Sequence, residues 1–176
     1  MKINYHQSLP ETFPPEARVW IYQSDRNLLS EETEEITRDL ESFCSQWKSH
    51  GATVMGTARV LMNRFVVVIA DERAATVSGC ATDSSVKAVQ AIEKKYGMSL
   101  FDRMQIAFLG NNGVFTIPLN EISEAFQQGR IQPETPVFNN SITTLKELRE
   151  EWTVPAKDSW LKSKIKRASD SPSSVK

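Results

Sequence analysis

Apolar positions along this chain alternate between two periods. Arg18-Val19-Trp20-Ile21-Tyr22-Gln23 is dense in β-branched and aromatic residues and predicts a first strand. Ser24 to Leu29 turn the chain, and the pattern then becomes helical, with Ile36, Leu40, Phe43, Cys44 and Trp47 on one face. Ser30 is placed to cap that helix. Glu31, Glu32, Glu34 and Glu35 set negative charge against its positive end, and Gly51 is expected to close it, giving a helix over 31–49. Ala52 to Met62 predict a second strand interrupted at Gly56, and Asn63-Arg64 a tight turn. Phe65 to Ala70, apolar on both faces, predict a central third strand. Residues 71–82 read as a loop, after which Asp83 or Ser84 caps a second helix bearing Val86, Val89, Ile92 and Tyr96 and ended by Gly97. Met104 to Leu109 and Val114 to Ile117 predict two further strands joined across Gly110-Asn111-Asn112-Gly113.

The first six elements run strand, helix, strand, strand, helix, strand. That order predicts an α+β fold of ferredoxin-like (βαββαβ) type, an antiparallel sheet with two helices on one face. A C-terminal strand and helix extension follows. In it Asn120 caps a short helix closed by Gly129, and Val137-Phe138 adds an edge strand. Thr143 or Thr144 starts a helix carrying Leu145, Leu148 and Trp152, which Pro155 breaks. Residues 1–17, with Pro10, Pro14 and Pro15, read as an extended arm. Residues 18–165 read as one α+β domain (core 18–110, extension 111–165), and residues 166–176 as a polar, disordered tail.

Composition adds exclusions. The chain has 176 residues, 40% apolar and 24% charged, with a formal net charge of -1. That is ordinary for one soluble domain and argues against an electrostatic binder of double-stranded nucleic acid. The apolar run at 65–70 is far too short for a membrane span, and the N-terminus has no apolar leader segment. Two cysteines, Cys44 and Cys80, make neither a disulfide framework nor a zinc site, and His6 and His50 are unrelated in spacing, so no metal and no cofactor are expected. A reduced, cytoplasmic setting is expected. Gly51 and Gly56 have the spacing of a phosphate-binding loop, but Thr57 and Ala58 stand where its lysine and hydroxyl residue belong, and the strand–helix order is reversed.

Two candidate sites follow. Gly79-Cys80-Ala81-Thr82-Asp83-Ser84-Ser85 leads into the second helix, whose N-terminus can hold an anion or activate a thiol. Cys80, Asp83, Ser84 and Ser85, with Arg18, Arg26 and Arg64 as cations, form a candidate small-anion or thiol site. The alternative is that Asp83 or Ser84 is simply a cap and Cys80 a buried apolar residue. Along the first strand, Val19 and Ile21 are expected to face the helices, leaving Arg18, Trp20 and Tyr22 on the other face, where single-stranded nucleic acid could stack. The alternative is that Phe126, Phe138, Trp152 and Trp160 of the extension cover that face. Asn139-Asn140 read as turn residues, and Lys162, Lys164, Lys166 and Arg167 as a solvated stretch.

Several strings occur together: the 18–26 segment Arg-Val-Trp-Ile-Tyr-Gln-Ser-Asp-Arg; Asn63-Arg64-Phe65; Gly79 to Val86; Val137-Phe138-Asn139-Asn140; Trp152-Thr153-Val154-Pro155-Ala156; and Ser159-Trp160. In this combination, over residues 14–161, the chain resembles a small uncharacterised bacterial family often labelled "ABC transporter ATPase". The label implies an ATPase, yet the chain has neither a complete nucleotide-binding loop nor an LSGGQ-like signature, so the label reads as a misannotation. The expectation is a non-catalytic binding or assembly module. Its alternatives are a small-anion or nucleotide binder or thiol enzyme centred on Cys80, and a single-strand binder using Trp20 and Tyr22. The expected partner is a protein or a small anionic ligand.

Overall fold

A computed structural model describes residues 5–165. The chain is mixed α and β, with antiparallel sheets and several helices, and it parts into two compact units where the sequence suggested one domain. Among the described residues the first comprises 5–102 and 140–150, the second 103–139 and 151–165.

The first unit is built on a three-stranded antiparallel sheet. Its strands are β1 (Arg18–Gln23), β4 (Met55–Leu61) and β5 (Phe65–Asp71), in the order β1-β5-β4. Every residue of β5 is buried, which explains why that segment is apolar on both faces. Helices α1 (Ser30–Gln46) and α2 (Gly79–Tyr96) pack over one face. Their contribution to the core is Ile36, Leu40, Cys44, Ala81, Val89 and Ile92, set against Ala58, Val66, Val68 and Ala70 of the sheet.

Three local expectations are corrected here. Helix α1 stops at Gln46, because the chain turns extended at Trp47 and pairs as the two-residue strands β2 (Lys48–Ser49) and β3 (Ala52–Thr53). Gly51 therefore serves the hairpin and not a helix end: His50 and Gly51 have φ of 50° and 85°, the left-handed pair that a two-residue hairpin loop requires. Ser30 is the first helical residue and not the cap, while the N–H of Leu29 is held by the Glu32 carboxylate at 2.9 Å. Helix α2 begins at Gly79, four or more residues before the expected caps. Ser78 is its cap and accepts the Ala81 N–H at 3.2 Å. At its other end Gly97 is left-handed (φ 60°), as read from the sequence.

The segment read as the fourth strand of the first sheet lies elsewhere. It is β6 (Gln105–Gly110), which belongs to the second unit with β7 (Gly113–Pro118), β8 (Pro136–Phe138) and β9 (Thr153–Pro155), in the order β7-β6-β8-β9. The outer side of β1 instead receives the 143–144 segment: Val19 N–H donates to the Thr143 carbonyl at 2.8 Å, and Arg18 bridges Thr144. Thr144 and Glu147 then cap α4 (Leu145–Glu150) reciprocally, the Thr144 N–H reaching Glu147 at 2.9 Å and the Glu147 N–H reaching Thr144 at 3.2 Å. Within the segment read as an extended arm, His6–Ser8 form a 3-10 turn, and Tyr5 is buried with its hydroxyl donating to the Leu148 carbonyl at 2.9 Å.

In the second unit β8 is an interior strand, not an edge, and Pro155 lies in β9 instead of breaking a helix. Trp152 is beyond the end of α4 and meets Phe138 edge to face. Asn120 lies in a single 3-10 turn before α3 (Ile122–Gln127) and makes no cap bond. Ile106, Phe108, Ile117, Ile122, Val137 and Leu161 form this unit's core. The tail read as disordered, residues 166–176, lies outside the described residues.

Candidate functional site

Alternation along β1 is as read, but the faces are reversed. Trp20 and Tyr22 lie on the helix side. Trp20 meets Trp47 edge to face at 6.0 Å, and Tyr22 meets Phe101 at 5.2 Å. Period-2 alternation fixes which residues share a face and carries no sign, so aromatics and aliphatics were equally eligible for the core. The stacking surface of the nucleic-acid reading is thus occupied by the protein's own rings. Trp160, offered as a cover, is 51% exposed.

The start of α2 is tightly framed. Arg18 lies over the Trp20 ring at 4.7 Å, pairs with Glu72 at 3.5 Å and donates to the Val77 carbonyl at 3.3 Å. Glu72 accepts the Val77 N–H at 2.7 Å, and Ser49 Oγ accepts the Ser78 N–H at 3.1 Å. Trp47 Nε1 donates to the Ala81 carbonyl at 2.9 Å. Cys80 stands in the first turn of the helix, not ahead of it, and is exposed rather than buried. Asp83 is exposed. Ser84 and Ser85 donate back to the carbonyls of Ala81 and Thr82, both at 2.7 Å, so both hydroxyl protons are engaged by the helix's own backbone. Cys44 is the buried thiol, and burial pushes its pKa up to about 12.

Of the three arginines, only Arg18 joins this frame. Arg26 grips Glu32 through two bonds of 2.8 and 2.7 Å and donates to the Tyr96 carbonyl at 3.0 Å, at the other end of α2. An 18-residue helix separates those ends by roughly 25 Å. The Arg26 guanidinium, with the Leu29 N–H, holds the Glu32 carboxyl at about 2. Arg64 is buried, and burial lowers its pKa. It donates to the carbonyls of Ser24 (3.0 Å) and Asp25 (3.1 Å) and to Asn27 Oδ1 (2.9 Å). Arg26 and Arg64 thus brace the end where β1 and α2 finish and α1 begins. Leu29, 68% exposed, and Phe101, 37% exposed, lie at that end.

Sequence reading missed three groups. Ser78 was overlooked because Gly-Cys-Ala after it resembles a loop. Glu72 and the Glu41–Arg59 pair are remote in sequence and have no spacing signature. Asn140 Nδ2 donates to Gln23 Oε1 at 3.0 Å, and the Asn139 N–H to the Trp152 carbonyl at 2.7 Å, so the Asn pair serves backbone and side-chain bonding. Among the described residues no three His, Cys, Asp or Glu side chains could hold a metal ion, and no helix is long and apolar enough to cross a membrane. Comparison with family models, curated proteins and solved structures finds no match to this chain.

Proposed function

We propose that this chain is a non-catalytic binding or assembly module. One observation carries the reading: Arg18, Arg26 and Arg64 all turn inward to carbonyls and carboxylates of the first unit. They act as struts, and the surface beside Arg26 and Arg64 offers apolar side chains, Leu29 and Phe101. The proposed partner is a protein docking at that end. The test uses the immobilised full chain, wild type against a Leu29→Ser/Phe101→Ser variant with unchanged circular dichroism. A protein retained from native bacterial extract by the wild type and lost from the variant is expected. Retention indifferent to the variant, or turnover of a nucleotide, ester or thiol substrate that Cys80→Ala abolishes, defeats the proposal.

The second reading, a thiol or anion site, is favoured by the exposure of Cys80 in the first turn of α2. It requires an alkylation rate that rises well below the ordinary thiol pKa of about 8.5. A rate rising only near that value removes it. We also read the first unit as a ferredoxin-like variant, on the support of its 1-3-2 strand order and two covering helices. Its last strand position, beside β1, is given to residues 143–144. Membership of the bacterial family named above, without ATPase activity, and a cytoplasmic location complete the proposal, the latter supported by two unpaired cysteines.

A further inference from the structure

Strand β4 forms one edge of the first sheet. Its middle residue, Ala58, has both outward backbone groups occupied by side chains. The Ala58 N–H donates to Glu41 Oε1 at 3.1 Å, and the Ala58 carbonyl accepts Arg59 Nη1 at 2.6 Å. Glu41 reaches the edge from α1, also accepts the Thr57 hydroxyl at 2.5 Å, and forms an ion pair with Arg59. Because Ala58 points its amide away from β5, alternation makes Gly56 and Val60 do the same.

The sequence of β4 suits pairing with itself. An antiparallel two-fold centred on Ala58 sets Thr57 of one copy against Arg59 of the other, Gly56 against Val60, and Met55 against Leu61. No like charges meet, and that centre needs the two backbone groups that Glu41 and Arg59 now hold. A net charge of -1 gives two copies little long-range repulsion.

We propose that the Glu41–Arg59 pair is an edge lock, and that opening it lets two copies of this chain join through β4 about Ala58. The inference is independent of the docking end described above. The test is Glu41→Ala/Arg59→Ala, which leaves net charge unchanged and removes side chains that are 39% and 35% exposed. Glu41→Ser/Arg59→Ser is made alongside. Sedimentation is followed against concentration, with amide exchange at Ala58 and Val60. The wild type is expected to stay monomeric. Both double variants are expected to dimerise as concentration rises, with those two amides slowing about tenfold or more. Adding Val60→Pro, which removes an outward N–H, returns the monomer. Double variants that stay monomeric overturn the proposal. So do dimers with unchanged exchange at Ala58 and Val60, dimers that survive Val60→Pro, and a wild type already paired through β4.

Discussion

Replacing Gly56 by alanine puts a methyl group where Trp47 already is. A Cβ at residue 56 would come within 2.7 Å of Trp47 Cε3 and 3.1 Å of Cζ3, with Cys44 Sγ at 3.6 Å. Carbon atoms rest about 3.5 Å apart or more, so ring or strand must give by about 0.8 Å. Trp47 has little room to retreat. It is 2% exposed, meets Trp20 and Phe43 with its rings, and is tethered by its indole N–H to the Ala81 carbonyl. Overpacking costs about 1–3 kcal/mol, and a contact as short as 2.7 Å against a tethered ring falls in the upper half of that range; replacing a strand glycine recovers about 0.5–1 kcal/mol, leaving about 1–2.5 kcal/mol of destabilisation. For a chain this long that is a drop of roughly 2–10 °C in Tm. Urea and thermal unfolding followed by circular dichroism measure it. The same substitution in a Trp47→Leu background should be neutral or slightly stabilising, which appears in the double-mutant cycle as a coupling of about 1–3 kcal/mol. A Gly56→Ala protein as stable as the wild type, or an equal loss in both backgrounds, refutes the reasoning.

Ser78→Ala removes the bond to the Ala81 N–H and should cost about 1 kcal/mol, read as a lower unfolding midpoint, whereas Asp83→Ala and Ser84→Ala should not, since neither caps α2. Arg26→Ala should destabilise the protein at neutral pH by an amount that shrinks as pH falls. The Glu32 carboxyl is depressed to about 2 in the fold, so its contribution is complete above its ordinary value near 4.5 and disappears as pH drops through about 2. Thermal unfolding between pH 6 and 2 checks this, and a wild-type-to-variant difference that stays constant over that range contradicts it.

Local elements were legible where composition and period agreed. Strand β1 matches its expected bounds residue for residue, and β5 was rightly placed at the centre, because a run apolar on both faces has one stable location. The start of α2 is misplaced in sequence because Ser78 is followed at once by Gly79, a weak helix former, whereas Asp83 and Ser84 stand directly ahead of the clear helical period. Gly51 was equally consistent with a helix end and a hairpin turn, and only the pairing of Lys48 with Thr53 decides between them. The allocation of residues 105–110 to a second sheet depends on long-range pairing that element order does not encode. Of the candidate site, Cys80 and Arg18 do lie on the same frame at the start of α2. Arg26 and Arg64 do not, since a list of cations carries no information about which carbonyl each will meet.

The first unit is not continuous along the chain, and this bears on its birth at the ribosome. The amide of Val19 finds its acceptor only when Thr143 has been synthesised. Until residues 140–150 clear the exit tunnel, the nascent sheet has a bare flank on its β1 side. Maturation of this unit is therefore expected to wait for the 140–150 segment instead of proceeding strictly N-terminus first. Premature termination or proteolytic nicking anywhere in 103–139 should yield a sticky fragment, a ready client for chaperones and proteases.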